Sequence, residues 1–597
     1  PFVFGAPVAQ IENLLEPTAV DVGPDGLIYV CETTRHRVTV LRRDGERIRT
    51  LGQYGDGPRG LVHPRGIDVS PWGVAVADSG HQHVRILAPD GTPLRTIGAE
   101  LLRDPRGIAT TETALYVADA RLGCILGFTH DGSFQRRIGE DILVEPVDLA
   151  ARTTDDGQLE LYVTDARRNR IFVLDADGRE QRAWGDWGPH FNLLDHPAAI
   201  TVRGGRVYIC DRNNHRLQVF DMGGTHIYQW GIHAVLPREG AGRIHYPSDL
   251  AVAPDGTFAV LAEPFEDRIQ IFERAAADVD ELDTASPRQL KVEATHFGRF
   301  LDVDGNLLVM AEPELHRVHV FRIDHEVPIH VSQFGFRGPM YGQMLQPAGL
   351  HLDSTAPRVR IVDRTRRWLQ VFDLDLDAEG SPRFVPYAGR LRYVIDLPAV
   401  WATVRTPTQI RRTGSGETLI LDRTGAIARF DDPTRAPRVI GQWGPEPGAF
   451  RDPVDLAPTG NGEELIVVDR GNARVQILRP DGSVVRTLGG WGEDEGQLLD
   501  PRGVALLPDD TILVSDAGAH VLKRFAPDGT WLESWGRPGY RDAEFWKPAG
   551  LDVAADGRVF VADYGNHRGQ IFSADGEWLV TFSLGRPSTR SRPRQYN

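Results

Sequence analysis

The sequence has no apolar run of about 18 or more residues, so it predicts no transmembrane helix. Cysteine is scarce: Cys31, Cys124 and Cys210 are the three present, and no two of them form a CxxC motif. Cys31 and Cys210 lie in strand-like apolar runs, IYVCE and VYICD. This setting favours cysteines that fill a core over disulfides or zinc ligands.

Basic residues are fewer than acidic ones, with 67 Lys and Arg against 83 Asp and Glu. The net charge is -16 and the isoelectric point is near 5.6, which argues against a broad surface for nucleic acid or anionic membrane. The sequence begins at Pro1 without the charged and apolar regions of a secretory signal, so we expect a cytoplasmic location, or an extracellular one if the N-terminus was trimmed.

Proline and glycine are abundant, at 41 and 63 residues, and are spread along the chain, which indicates frequent tight turns. A proline followed by a short apolar strand recurs, as in HPRGIDV, DPRGIAT and KPAGLDV. HFGRFLDV at 296–303 supplies one further unit without its proline, which gives twelve units. The prolines of this repeat are Pro17, Pro64, Pro105, Pro146, Pro197, Pro247, Pro347, Pro407, Pro453, Pro501 and Pro548.

Each unit contains four short strands separated by Asp-Gly or other polar turns, and this order predicts one four-stranded antiparallel blade of a β-propeller. We therefore predict an all-β protein made of two tandem six-bladed β-propellers, with one continuous twelve-bladed ring as the alternative. The N-terminal PFVFG has no blade of its own and is expected to complete the last blade of the first ring. The predicted domains are a first propeller at 1–272, a linker at 273–288, a second propeller at 289–585 and a flexible basic tail at 586–597.

A His-Arg pair before an apolar run recurs in the repeat. His215-Arg216, in the segment DRNNHRLQVFD, has counterparts such as His36-Arg37 and His567-Arg568. A catalytic residue is not needed in blade after blade, so we interpret the pair as part of the turn between the second and third strands. There, Asp211 can accept hydrogen bonds from turn amides and from guanidinium groups.

The segments VYICDRNNHRLQVFD and VFVADYGNHRGQIF resemble NHL repeats, a β-propeller family whose members commonly have six blades. Peptidylglycine amidating lyases are similar to this chain in repeat pattern, and in that family a histidine directly after the repeat proline helps to bind zinc. No histidine follows a repeat proline here, which argues against that activity. The resemblance to RNA-binding NHL domains implies a basic face, and the net charge of -16 argues against nucleic acid as a partner.

Propellers bind ligands at the channel mouth, where the innermost strands begin. In the first ring, the residues directly before the prolines form a set of carboxylates and imidazoles that could hold a divalent cation, zinc or calcium, although exposure at the rim would explain their polarity equally. The predicted metal ligands are Glu16, His63, Asp104, Glu145 and His196. The predicted ligand-binding residues just inside are Arg65, Arg106, Asp148 and Asp249. The corresponding set of the second ring shows no obvious constellation.

The segment 373–405 lengthens one repeat and carries four aromatic residues, Phe384, Tyr387, Tyr393 and Trp401. Long loops on a rigid scaffold often carry binding function, so we predict a ligand-binding surface here, with core filling as the alternative.

The sequence therefore predicts a non-catalytic propeller scaffold that binds a protein or a small-molecule ligand. A metal-dependent lyase or hydrolase that uses the first channel is the alternative, and RNA binding is a third.

Overall fold

The computed structural model describes residues 2, 4–154, 156–190, 192–233, 242–275, 298–313, 315–338, 340–374, 389–459 and 464–583. The chain forms two compact units, Pro1–Val292 and Glu293–Asn597. The prediction of an all-β fold built from four-stranded antiparallel blades is confirmed. Most of the predicted linker and all of the predicted tail lie outside the described residues, so the predicted domain boundaries remain predictions.

The N-terminal unit contains six such sheets, numbered blades 1 to 6. From the innermost to the outermost strand, blade 1 is Pro17–Val22, Ile28–Glu32, Arg37–Leu41 and Arg47–Leu51; blade 2 is Pro64–Ser70, Gly73–Asp78, His83–Leu87 and Pro93–Ile97; blade 3 is Pro105–Thr110, Ala114–Asp119, Cys124–Thr129 and Phe134–Ile138. Blade 4 is Pro146–Thr153, Leu159–Asp165, Arg170–Leu174 and Glu180–Trp184; blade 5 is Pro197–Arg203, Arg206–Asp211, Arg216–Asp221 and His226–Trp230; blade 6 is Asp249–Val252, Phe258–Glu263, Arg268–Arg274 and Phe4–Ile11.

The N-terminal strand closes the first ring. Phe4–Ile11 pairs antiparallel with Arg268–Arg274, so residues from both ends of the unit share blade 6. The innermost strands of successive blades contact one another around the unit, and Asp249–Val252 of blade 6 contacts Pro17–Val22 of blade 1. The first unit is therefore a closed ring of six blades, with the strand exchange expected from PFVFG.

The C-terminal unit repeats this architecture in blades 7 to 12. Blade 7 is Phe300–Asp304, Leu307–Glu312, Arg317–Arg322 and Ile329–Phe334; blade 8 is Pro347–Asp353, Arg358–Asp363, Trp368–Leu374 and Gly389–Asp396; blade 9 is Pro407–Arg412, Thr418–Asp422, Ala426–Phe430 and Arg438–Ile440. Blade 10 is Pro453–Pro458, Leu465–Asp469, Arg474–Leu478 and Val484–Gly489; blade 11 is Pro501–Leu506, Ile512–Asp516, Val521–Phe525 and Trp531–Trp535; blade 12 is Leu551–Val553, Val559–Asp563, Arg568–Phe572 and Trp578–Phe582. Contact between the innermost strands of blades 7 and 12 closes this ring as well.

Short elements complete the described part of the chain. Leu397–Val400 is a single α-helical turn between blades 8 and 9. Two-residue strands form the parallel pairs Gln53–Tyr54 with Gly60–Leu61 and Ile232–His233 with Arg243–Ile244. The 3-10 turns are Arg212–Asn214, Arg470–Asn472 and Tyr564–Asn566.

The hydrophobic core lies between adjacent blades. One cluster joins Ile86 of blade 2 to Leu115 and Phe128 of blade 3, all of which are buried. Fully burying such a side chain contributes about 1.5–3 kcal/mol each, so the faces between blades hold the ring together. Cys31, Cys124 and Cys210 are buried and free, in agreement with their predicted role as core residues. No helix among the described residues is long and apolar enough to cross a membrane.

Candidate functional site

The recurring His-Arg pair is part of the propeller framework. Arg216 Nε donates to Asp211 Oδ2 at 2.7 Å, and Asp211 Oδ1 accepts from the backbone N–H of Asp195 at 2.7 Å. His215 has left-handed backbone angles with φ at 52°, and its Nδ1 accepts from the backbone N–H of Tyr246 in the next blade at 3.2 Å. The pair therefore anchors its own turn to Asp211 and links blade 5 to blade 6.

The same link between blades recurs elsewhere in the structure. His36 Nδ1 accepts from the backbone N–H of His63 at 2.9 Å. His520 Nδ1 accepts in the same way from Lys547 at 3.0 Å. The acceptor is a turn residue and the donor precedes the innermost strand of the next blade, so these histidines fix the rim of the channel.

The predicted metal ligands of the first ring lie at this rim, and several contact neighbouring residues. Glu16 Oε2 accepts from Thr34 Oγ1 at 2.8 Å. The buried His63 ring stacks on His36, with ring centroids 4.8 Å apart and planes inclined by 6°. Asp104 Oδ2 accepts from Arg106 Nη2 at 2.9 Å.

The remaining predicted ligands are held in a similar way. Glu145 Oε2 lies 3.3 Å from Arg167 Nε, and the backbone N–H of His196 donates to Asn169 Oδ1 at 2.8 Å. Among the described residues, the His, Cys, Asp and Glu side chains that bring three ligand atoms within 4.8 Å of one another are Asp78, His81 and His83. The five predicted ligands therefore do not form a compact ligand set in this structure.

Of the predicted residues just inside the first channel, the structure brings Asp148 and Asp249 into one acidic ring with Asp21 and Asp68. Each of the four carboxylates accepts a hydrogen bond from the next blade of the ring, and for Asp249 of blade 6 the next blade is blade 1. The three bonds to backbone N–H groups are Asp249 Oδ2 to Val20 at 2.8 Å, Asp21 Oδ2 to Val69 at 2.7 Å and Asp148 Oδ2 to Ile200 at 2.8 Å. Asp68 accepts from the Thr110 hydroxyl of blade 3. Arg65 is partly buried at the second position of its strand and does not belong to this ring of carboxylates.

Burial raises the pKa of all four carboxyl groups. It raises the pKa of Asp68 to about 6 and that of Asp249 to about 7. The pKa of Asp21 is raised well above its usual range by burial and by the charge of Asp68, and that of Asp148 by burial and by the charge of Asp249. The first channel therefore favours protonated carboxyl groups or bound positive charge.

The second channel contains its own cation. The buried Arg411 guanidinium lies 3.2 Å from Asp302 Oδ1 and 3.9 Å from Asp455 Oδ1, and it donates to the carbonyl of Leu350 at 2.8 Å. Burial opposes the charged guanidinium, but the neighbouring aspartates raise the pKa of Arg411 above its usual value. Asp455 Oδ2 also accepts from the backbone N–H of Val504 at 3.0 Å, so the acidic links between blades persist.

Arginines surround the mouth of this second channel. In three consecutive blades, an arginine directly follows the aspartate that ends the second strand: Arg364, Arg423 and Arg470. Arg502 is the second residue of the innermost strand of blade 11, and Arg299 directly precedes that of blade 7. One cavity brings these groups together, and it is lined by Arg299, Phe300, Leu301, Arg364, Thr408, Gln409, Arg411, Arg423, Val454, Asp455, Arg470, Arg502, Ala549 and Gly550.

Two carboxylates hold part of this arginine set in place. Asp452 pairs with Arg423 and, through Oδ2, with Arg470 Nη1 at 3.0 Å. Asp500 pairs with Arg470 and, through Oδ2, with Arg502 Nη2 at 2.6 Å. Burial opposes the charge of Asp500, but Arg470 and Arg502 hold the pKa of this carboxyl well below its usual range. Of the five arginines at the mouth, Asp452 and Asp500 thus orient Arg423, Arg470 and Arg502.

The aromatic segment is divided between the surface and the core. Tyr393 lies in Gly389–Asp396, the outermost strand of blade 8, and is 41 % exposed. Trp401 is 3 % exposed and packs in the core cluster between blades 8 and 9. Phe384 and Tyr387 lie outside the described residues. The described part of 373–405 thus forms strands, a helical turn and buried core rather than a single aromatic surface.

Three segments of the chain match a known repeat family. Residues 14–41, 194–220 and 545–572 match the NHL repeat. The chain contains NHL repeats. No curated protein matches it. Among solved structures, it is similar to virginiamycin B lyase from Staphylococcus aureus, with 15 % identity, coverage of 43 % of this chain and 80 % of that chain, and a TM-score of 0.31. It is also similar to a chain of a nidogen/laminin complex, with 21 % identity, coverage of 36 % of this chain and 80 % of that chain, and a TM-score of 0.32.

The arginine cavity was not predicted from the sequence of these NHL repeats. The available signal was the residue after the aspartate that ends the second strand, which is arginine in blades 8, 9 and 10 but small or uncharged in most blades of the first ring, such as Ser79, Ala120 and Ala166. The alignment of repeats shows this difference, but the convergence of the side chains is evident only in the closed ring.

Proposed function

We propose that this NHL-repeat chain is a non-catalytic binding scaffold whose C-terminal propeller binds an anionic group at the mouth of its channel. The anionic group is a carboxylate or a phosphate carried by a small molecule or by a protein partner. The observation that supports this proposal is the convergence of arginines from several blades on one cavity.

The electrostatics of the cavity favour an anion. Arg470 and Arg502 keep only 9 % and 16 % of their side-chain surface exposed, so their charges are weakly screened by solvent. Six arginines and one aspartate line the cavity, and Asp452 and Asp500 pair with three of these arginines, so positive charges outnumber negative ones at the mouth.

The same residues argue for binding rather than catalysis. A guanidinium group remains protonated in proteins and presents a planar set of donors that matches carboxylate and phosphate oxygens. It therefore orients an anion but does not accept a proton from it. Phe300, Leu301 and Val454 add apolar surface on which the organic part of a ligand can pack.

Isothermal titration calorimetry on the full chain tests the proposal, with inorganic phosphate and succinate as probes. We expect Arg364→Gln and Arg423→Gln each to weaken binding about 10- to 100-fold, because one charge-assisted hydrogen bond contributes about 1.5–3 kcal/mol. The matched control is Arg435→Gln in the same propeller, whose side chain is 84 % exposed and lies outside the residues lining the cavity.

Binding should weaken with added salt, since the interaction is between charges. Equal affinity in all three variants would place the anion elsewhere and contradict the proposal. Absence of heat with both probes at millimolar concentration would also contradict it.

A further inference from the structure

Blade 2 departs from the repeat at one buried aspartate. In blade 5 the carboxylate of Asp211 is bound by Asn214 and Arg216. At the matching positions around Asp78, blade 2 carries His81 and His83. A framework contact that an amide and a guanidinium make elsewhere is thus replaced by two imidazoles.

The three side chains form a compact group. His81 Nδ1 lies 2.7 Å from Asp78 Oδ2, and His83 Nε2 lies 3.4 Å from the same oxygen. The two imidazole rings are parallel within 7°, with centroids 5.3 Å apart. His83 Nε2 is out of contact with solvent and makes no hydrogen bond. Both rings therefore direct a nitrogen toward one oxygen of Asp78.

His81 also contacts a second carboxylate. Its Nε2 lies 2.8 Å from Asp56 Oδ1, so each nitrogen of this ring faces a carboxylate oxygen. A neutral imidazole has one N–H and can donate to only one of these oxygens. The other nitrogen needs a positive charge between itself and its carboxylate, either a second proton or a metal ion.

We propose that Asp78, His81 and His83 bind a divalent transition-metal ion of the zinc class, with Asp56 orienting His81 from the opposite side of the ring. Zinc holds imidazole nitrogens and carboxylate oxygens at about 2.0–2.2 Å in tetrahedral geometry, so neighbouring ligand atoms lie about 3.3 Å apart. The 3.4 Å separation of His83 Nε2 from Asp78 Oδ2 matches that spacing, whereas the 2.7 Å separation of His81 Nδ1 is that of a hydrogen bond and has to lengthen by about 0.6 Å when the metal binds. A carboxylate on the second nitrogen of a ligand histidine is the usual outer partner in such sites.

The position is buried but reachable. Asp78 is fully buried, while His81 and His83 keep 10 % and 12 % of their side-chain surface exposed. Asp56 is 60 % exposed and borders solvent. An ion can therefore enter along the histidine side, and a water molecule can fill the fourth position.

The test uses the full chain, stripped with a chelator and titrated with ZnCl₂ by calorimetry, with Co²⁺ absorption as a second readout of coordination. We expect one zinc ion per chain. His81→Asn/His83→Arg, which installs the residues of blade 5, should lower the affinity at least 100-fold and remove the visible Co²⁺ bands. Asp56→Asn should retain the stoichiometry and weaken binding about 10- to 100-fold. His325→Asn, which removes an exposed histidine beside Asp324, should change nothing.

Three results would overturn the proposal: less than about 0.2 equivalents of zinc in the stripped and reloaded wild type, unchanged binding in the double variant, or loss of zinc in His63→Ala/His196→Ala instead. The last result would place the ion at the rim of the first channel. If circular dichroism shows that the double variant does not fold, His83→Gln replaces it, with the same expected loss of affinity.

Discussion

The acidic ring of the first channel makes the stability of the N-terminal propeller depend on pH. Burial raises the pKa of Asp249 to about 7, whereas an aspartate in the unfolded chain has a pKa near 3.8. Between about pH 4 and pH 7, Asp249 therefore keeps its proton in the folded state but has released it in the unfolded chain. The resulting stabilisation is fully present below about pH 4 and is lost as the pH rises through 7.

The magnitude follows from this difference in pKa. Between pH 5 and pH 8 the change amounts to about 3 kcal/mol for Asp249, and because this residue is only partly buried, solvent screens part of it, so we expect about 1–3 kcal/mol. Asp249→Asn keeps an oxygen that can accept from Val20 but cannot ionise. Relative to the wild type, the unfolding free energy of the variant should therefore be higher at pH 8 than at pH 5 by that amount.

The assay is urea unfolding at both pH values, followed by pulsed hydrogen exchange and mass spectrometry, which reports peptides of each propeller separately. Asp90→Asn is the control, because this carboxylate is exposed in a turn of blade 2. If the variant and the wild type differ by the same amount at both pH values, within about 0.5 kcal/mol, the ring does not titrate as argued.

Three further changes should alter stability in defined ways. Arg411→Met should lower the unfolding free energy of the C-terminal propeller by about 3–5 kcal/mol at pH 8, because it leaves Asp302 and Asp455 without their buried partner, and urea unfolding measures this loss. Trp401→Ala should cost about 3–5 kcal/mol through the cavity it creates, as measured by the same method, while phosphate affinity stays unchanged. His215→Ala should cost about 1–2 kcal/mol, seen as faster exchange of the Tyr246 amide, because that donor loses its acceptor and alanine disfavours the left-handed backbone.

Much of the fold follows from local patterns in the sequence. The spacing of the prolines and the Asp-Gly turns predicts the blades, because each strand pair is joined by a short turn whose residues fix its geometry. Even the exchange of Phe4–Ile11 into blade 6 was predicted, since the fourth strand of that blade was missing from its own repeat. The structural role of His215 was predictable for a similar reason, because a residue repeated in many blades serves the framework.

The candidate sites were harder to predict, because they join residues from repeats that lie far apart in the sequence. Asp148 and Asp249 were predicted, but Asp21 and Asp68 occupy a different position within their strands and meet them only in the closed ring. Trp401 illustrates the converse problem. A long, irregular segment predicts an exposed loop, yet its aromatic residue fills a gap between two blades.

The two channels share buried aspartates on their innermost strands, and they differ in that the second channel also contains the buried Arg411. In both rings, aspartates of the innermost strands accept backbone N–H groups from other blades, and a buried carboxylate used in this way needs a proton or a cation to offset its charge. In the second ring, the positive charge beside the aspartates is that of Arg411. In the first ring, the charges that act on Asp21 are those of other carboxylates. Arg411 thus offsets charge on Asp302 and Asp455 from within the second ring, and the arginines at its mouth form the anion site that we propose. On this proposal, the same repeat yields one channel whose buried carboxylates favour protons or cations and one that binds an anion.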